Sequence, residues 1–286
     1  MSTTQDSRIN SDTIIILVAV LLVVFIIGFG IFTWTIVDRF DQYDSRINNI
    51  ESNADQRYTS LKSEVSDTIL EVLESQKQQA IQSVIDSRLA PHKAADNDVP
   101  DGRKIYGSLK ARFTIVEFSD LECPFCKQFH STPKEIVDSS RGNVSWEWKH
   151  LPLGMHNPAA LKLAHAAECV SEQKGNQGFW AYIDYVFSAS GGNGRGISDT
   201  TIRRDLAEFG VDQSAFNTCM TEGRHMASIQ DDLQDARKLR VTSTPTSYIV
   251  DNVTGQSQPM KGLKSTEQIM QVIKMMIDQG SETKNG

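Results

Sequence analysis

Residues 13–37 contain no charged side chain, and residues 38–90 contain neither glycine nor proline. The first absence removes the groups most costly to place in hydrocarbon. The second removes the two residues that most readily interrupt a helix. Basic clusters are lacking as well. The chain carries 29 Lys and Arg against 36 Asp and Glu, a net charge of −7. Without a basic stripe, no nucleic-acid partner is expected. The six histidines show no ligand spacing, so no metal site is predicted. Gly191-Gly-Asn-Gly-Arg-Gly196 has no strand before it and no Lys-Ser/Thr after it, so it reads as a flexible loop rather than a phosphate cradle. No cofactor is indicated.

What is present divides the chain into zones. After a short tail, residues 1–12, the run Ile14–Ile27 is almost wholly aliphatic. As a helix, residues 13–37 would extend roughly 37 Å at about 1.5 Å per residue, enough to cross a bilayer. A cleaved signal peptide would have an apolar region of only about 7–15 residues and a small-residue cleavage site. This run is longer and ends Phe32-Thr-Trp-Thr-Ile-Val-Asp-Arg39, so an uncleaved transmembrane helix is expected, with Trp34 at an interface. Charge hardly orients it: Arg8 opposes Asp6 and Asp12 on one flank, and Arg39 and Arg46 oppose Asp38, Asp41 and Asp44 on the other.

Residues 38–90 hold ten acidic and six basic side chains. Apolar side chains recur at Phe40, Tyr43, Ile47, Ile50, Ala54, Tyr58, Leu61, Val65, Ile69 and Val72. Spacings of three and four draw one stripe along a helix, with a stutter at Ile50-Ala54-Tyr58. A stripe this narrow is best buried against copies of itself, so a self-associating coiled-coil stalk is expected, roughly 80 Å long if fully helical. A solvated single helix is the alternative. Pro91 ends the stalk, and the polar residues 91–104 read as a flexible hinge. The remainder, 105–286, is long enough for one well-buried domain.

Within that domain, Phe113-Thr-Ile-Val-Glu-Phe118 reads as a buried strand. Cys123-Pro-Phe-Cys126 follows, and Phe125 to Val137 can continue as a helix. Two cysteines two residues apart can close a small disulfide ring. At a strand-to-helix turn the first sulfur also faces unpaired N–H groups that stabilise a thiolate. Alone the motif suits a redox switch or half of a zinc site. Pro124 has no N–H to offer and fixes the first helical turn, while Phe125 adds no charge. Glu117, in an apolar strand, is costly unless paired or protonated. A strand at Val144–His150, helices at Ala159–Cys169, Phe179–Phe187, Thr201–Phe209, Ser214–Met220 and Asp231–Leu239, a strand at Thr246–Val250 and a final helix capped by Ser265-x-x-Gln268 complete the pattern. Trp146, Trp148, Phe179 and Trp180 are expected in the core or along an interdomain groove.

The segment Phe113-Thr-Ile-Val-Glu-Phe-Ser-Asp-Leu-Glu-Cys-Pro-Phe-Cys126, then Lys149-His-Leu-Pro-Leu153, then Val241-Thr-Ser-Thr-Pro-Thr246 resembles DsbA-like thioredoxin-fold oxidoreductases. With the Ala-rich helix ending at Cys169, the resemblance covers nearly all of residues 105–280 and none of 1–90. It implies an α/β thioredoxin fold with a helical insertion at about 155–238. It implies that Cys123 is the nucleophile and Cys126 the resolving thiol, with their disulfide as the only redox centre. Glu117 would accept the proton of Cys126. Thr244-Pro245 would form the cis-proline loop facing the cysteines, its backbone pairing with substrate and Pro245 helping to exclude metal. The most oxidising members carry a histidine where this chain has Phe125. Cys169 and Cys219 would form a structural disulfide; a zinc site using all four cysteines is the rival, but this pair lacks C-x-x-C spacing. A structural disulfide implies an oxidising compartment. The expected arrangement is therefore single-pass in a bacterial inner membrane, N-terminus cytoplasmic and domain periplasmic. The expected partners are exported protein substrates, a membrane redox partner and further copies through the stalk. Isomerase or reductase action in an oligomer, dithiol oxidation, and a non-enzymatic coiled-coil adaptor are the three functional readings.

Overall fold

The computed structural model describes residues 10–282. The chain divides into two compact units at Gln76. Helix α1 is Ser11–Leu89 and has no buried residue. It contains the expected span 13–37, and it is long and apolar enough to cross a membrane. The expected tail at 1–12 falls mostly outside the described residues. In the first unit the stripe residues Phe40, Tyr43, Ile47, Ile50, Tyr58, Leu61, Val65 and Ile69 are all exposed. Helix continuity follows from the missing breakers: Gly28 and Gly30 are the only glycines before Leu89, and a Cβ at either would meet nothing.

The second unit, residues 77–286, is built on a five-stranded sheet. Its strands are β1 (Lys104–Gly107), β2 (Phe113–Ser119), β3 (Val144–His150), β4 (Thr246–Asp251) and β5 (Ser257–Lys261). The order is β1-β3-β2-β4-β5. Strand β2 pairs in parallel with β3 and antiparallel with β4, so it is central. A central strand is covered on both faces, which is why β2 reads as a nearly continuous apolar run. The β2–β3 crossover runs through α2 (Pro124–Phe129) and α3 (Ser131–Ser139). Trp146 and Trp148 on β3 and Phe179 and Trp180 on the insertion are fully or almost fully buried in one core.

The helical insertion comprises α4 (Ala159–Ala189), α5 (Asp199–Leu206), α6 (Gln213–Glu222) and α7 (Met226–Lys238). The two helices expected at 159–169 and 179–187 are the two arms of α4, which meet across a kink in the expected gap at Gly175, whose φ is 67°. A side chain there would strike Asn97, its Cβ lying 2.4 Å from Asn97 Oδ1. That Asn97 oxygen accepts from Gln177 N at 2.9 Å, so it satisfies a backbone group released by the bend. Asn176 Nδ2 donates to Asp96 O at 2.8 Å and to Ile105 O. Residues 91–104 therefore differ from the hinge expected of them. His92 and Ala95 are buried, and the segment is tied to α4. Polar composition announced a loop, but the loop's polar groups serve the kinked helix. The last turn of α1 joins the same unit: Leu89 packs on the core, its carbonyl accepts from Gln177 Nε2 at 2.9 Å, and Arg88 pairs with Glu208.

Cys169 on α4 and Cys219 on α6 are joined by a disulfide, 50 residues apart in sequence. A loop of that length stabilises the fold by about 4 kcal/mol in the chain-entropy view. Helix α8 (Thr266–Glu282) begins with the expected reciprocal cap. Gln268 N donates to Ser265 Oγ at 3.3 Å, and Ser265 N donates to Gln268 Oε1 at 3.0 Å.

Candidate active site

The site forms where β2 ends and α2 begins. Cys123 is the N-cap residue of α2, with extended φ and ψ, and Pro124 occupies the first turn. Proline costs nothing here because its missing N–H would be unpaired anyway. Both cysteines are free thiols. Cys126 is wholly buried and Cys123 almost so, at 5% exposure, whereas Phe125 between them is 59% exposed. Cys123 Sγ donates to Thr244 O at 3.6 Å. The Thr244–Pro245 bond is cis, and the loop that carries it leads into β4. The chain thus brings residues 121 positions apart together at one sulfur.

The two thiols are pushed in opposite directions. A hydrogen bond from the Cys126 thiol, then those of Thr244 and of the Cys126 and Phe125 backbone, lower the Cys123 pKa against the cost of burial, to about 5. Burial pushes the Cys126 thiol well up, and the neighbouring Cys123 and Glu117 reinforce it. Helix N–H groups thus depress Cys123 without a histidine at position 125. Glu117 is wholly buried. Burial raises its carboxyl to about 7, although Ser119 and Trp146 favour the charged form. Trp146 Nε1 donates to Glu117 Oε2 at 3.0 Å, while Oε1 has no partner. Ser119 follows Glu117 by two positions and so shares its face of β2. Its hydroxyl makes no well-formed hydrogen bond, yet it lowers the pKa of both Glu117 and Cys126. Asp120 N donates to Cys126 Sγ at 3.5 Å.

Sequence reasoning singled out Cys123, Cys126, Glu117, Thr244, Pro245, Pro124 and Phe125, and the fold places all of them at this turn. It passed over Asp120 and Glu122, both buried. Asp120 Oδ2 accepts from Leu153 N at 2.8 Å and from His156 Nδ1 at 2.7 Å. Glu122 accepts from Ser190 Oγ and, at 3.0 Å, from Gly196 N, and its carbonyl accepts from Asn193 N at 2.7 Å. The segment Gly191–Gly196, read as a flexible loop, is thus pinned, with Ser190 before it, to the residue before Cys123. The available signal was the pair of acids in Ser119-Asp-Leu-Glu122, set inside a segment otherwise patterned for burial. Outside this turn, groups of His, Cys and Glu close enough to share an ion lie around Cys169 and Cys219.

A thioredoxin family model matches residues 100–268. The chain belongs to the thioredoxin family. Within it, the second unit is a DsbA-like thioredoxin-fold domain. Pseudomonas aeruginosa DsbA2 superposes with a TM-score of 0.55 at 36% identity, covering 60% of this chain and 93% of that one. Bacillus subtilis BdbD (oxidised) gives 0.53 at 19% identity, covering 64% and 96%. Wolbachia pipientis alpha-DsbA1 gives 0.52 at 24% identity, covering 65% and 95%. The curated relatives include the Na(+)/H(+) antiporter NhaA 1 of Salinispora arenicola, 27% identical over 150 residues, which are 52% of this chain and 22% of that protein. NhaA 3 of Salinispora tropica is 29% identical over 151 residues, with the same coverage. The chain therefore spans about a fifth of the length of these relatives.

Proposed function

We propose that the chain is a membrane-anchored, extracytoplasmic oxidoreductase that rearranges disulfides in exported proteins, working as an isomerase or reductase from an oligomeric stalk. The observation that carries the chemistry is the acidic Cys123 sulfur at the start of α2, beside Thr244 and Cys126, with Glu117 buried next to Cys126. The Cys123 thiolate attacks one sulfur of a client disulfide. A Cys123–client bond forms, and the other client sulfur leaves as a thiolate. In isomerisation a second client thiolate then attacks the client sulfur of that mixed disulfide and returns Cys123 to its thiolate. In reduction Cys126 gives its proton to the Glu117 carboxylate and attacks Cys123 Sγ. The second client sulfur also leaves as a thiolate, the two client thiolates take up protons from water, and the Cys123–Cys126 disulfide holds the two-electron deficit until a membrane redox partner reduces it. A carboxyl near neutrality is matched to that transfer. The backbone of Thr244 pairs with the extended client, as in strand addition. The disulfide itself is the only redox group required.

The anchor rests on the uncharged helix at 13–37, and the oligomer on the exposed stripe of the first unit. A second reading is favoured by the stabilised Cys123 thiolate, which makes Cys123 a good leaving group: an oxidase that donates the Cys123–Cys126 disulfide to folding chains. Acid-quenched alkylation of Cys123 and Cys126 in living cells separates the two. A mostly reduced pair is expected, and a mostly oxidised pair would replace the isomerase with the oxidase. A non-enzymatic adaptor is excluded if Cys123→Ser alters client disulfide patterns, as expected.

A further inference from the structure

A buried histidine with one unpartnered ring nitrogen lies against the structural disulfide. His165 is one turn before Cys169 on α4, on the same helix face. It is 95% buried, and its Nε2 makes no hydrogen bond. Such a group is costly to bury unless something satisfies it. One ligand atom of each of His165, Cys169 and Cys219 lies within 4.8 Å of the other two. Cys219 belongs to a second group, with Glu172 and His225, that meets the same distance limit. His225 Nε2 and Glu172 Oε2 are 2.7 Å apart, and Arg224 also pairs with Glu172. A carboxylate that orients an imidazole in this way is the usual support of a metal-ligating histidine.

We infer that this cluster is a redox-gated site for a soft divalent cation such as Zn2+, open only when Cys169 and Cys219 are reduced. Cys169, Cys219 and His165 supply three ligands, and the Glu172–His225 pair supplies the fourth. The site is absent while the disulfide stands, because both sulfurs are then spent on each other. A dithiol reductant opens it. Two electrons break the S–S bond, two protons pass to the sulfurs, and the reductant leaves as a disulfide. The cation then displaces both thiol protons. Two thiolates and a neutral imidazole around a divalent ion leave little net charge in a buried place. Tetrahedral zinc needs sulfurs at about 2.3 Å and nitrogens at about 2.0–2.1 Å, which the ligand atoms of His165, Cys169 and Cys219, within 4.8 Å of one another, can reach by small shifts once the S–S bond is broken, while Glu172 and His225 meet that limit with Cys219. No C-x-x-C spacing marks the site, because α4, α6 and the turn before α7 assemble it only in the fold.

The test uses the full chain in detergent with Cys123→Ser and Cys126→Ser, so that only Cys169 and Cys219 can supply thiols. Zn2+ alone is the probe, and bound metal per chain is measured after gel filtration. Co2+ absorption reports thiolate ligation, and far-UV circular dichroism reports the fold. About one Zn2+ per reduced chain and almost none per oxidised chain is expected, with affinity at least about tenfold weaker in His165→Ala. Equal zinc in the two redox states, no zinc in a reduced chain that keeps its helical signal, or no effect of His165→Ala would each overturn the assignment. Loss of the helical signal on reduction overturns it as well, because the cluster exists only in the folded insertion.

Discussion

At the scale of the residue, one turn of chain sets three titrations against one another. Cys123 is held low, to about 5, by the Cys126 thiol and the hydrogen bonds around it. Alkylation of Cys123 in the reduced protein should therefore stay near its plateau from about pH 8 to 6 and fall by half close to pH 5, as thiolate is the reacting form. Mass-resolved labelling should show Cys126 unmodified throughout, and a midpoint near the ordinary thiol value would refute the arrangement. Glu117 moves the other way, since burial raises it from 4.5 to about 7. The folded chain thus keeps a proton that the unfolded chain gives up between about pH 4.5 and 7. Stability conferred by this group is full below the unfolded pKa and is lost as pH rises through the folded one, by about 3 kcal/mol in total. Glu117→Gln keeps the Trp146 hydrogen bond but cannot ionise. Its urea midpoint should lose that fall and exceed the parent's at pH 8, while the Cys123 mixed disulfide resolves at least tenfold more slowly for want of a proton acceptor. Parallel pH curves for the two proteins would remove Glu117 from both roles.

At the scale of the element, some of the site was legible and some was not, for physical reasons. Strand β2 announced itself because a central parallel strand must be apolar on both faces. The C-x-x-C turn and the Thr244-Pro245 loop are local motifs, readable without knowing what they meet. Asp120, Glu122 and Asn97 work through partners 33 to 80 positions away, and no local pattern encodes such partners. The break near Gly175 was legible as the gap between two helical stretches, whereas its latch to Asn97 was not. These latches explain how α2 and the insertion are held together. Glu122 accepts from both Ser190 Oγ and Gly196 N, so Glu122→Ala removes both side-chain tethers of a loop whose tip carries Arg195 and leaves only the backbone bond from Asn193 N to the residue 122 carbonyl. Trypsin should then cut after Arg195 at least several-fold faster than in the parent, with opening limited by the lost tethers rather than by global unfolding. An unchanged cleavage rate at equal global stability would show that the loop is held by other contacts.

At the scale of the whole molecule, a single active site and a long uncovered stripe call for different explanations. The site needs only one chain for thiol exchange. The stripe of Ile47, Ile50, Tyr58, Leu61, Val65 and Ile69 serves nothing within its own unit, where every one of these side chains is exposed. A continuous apolar seam exposed on a helix marks a surface for association, and its three-four spacing fits helices wound on copies of themselves. Association would place several Cys123 thiolates on one support. A client caught at one site would then meet a second at a high effective concentration, multiplying engagement by about 10² or more without any new contact. That gain matters for rearranging several disulfides in one client and not for a single exchange. Ile47→Glu with Val65→Glu puts charge into the seam while leaving the C-x-x-C turn untouched. In detergent the parent chain should sediment as an oligomer and the double variant as a monomer. Reduction of a small disulfide reagent should be equal in the two, whereas isomerisation of a client with scrambled disulfides should fall at least tenfold in the variant. A monomeric parent, or isomerisation that survives dissociation, would detach the stalk from the chemistry and leave a simple anchored oxidoreductase.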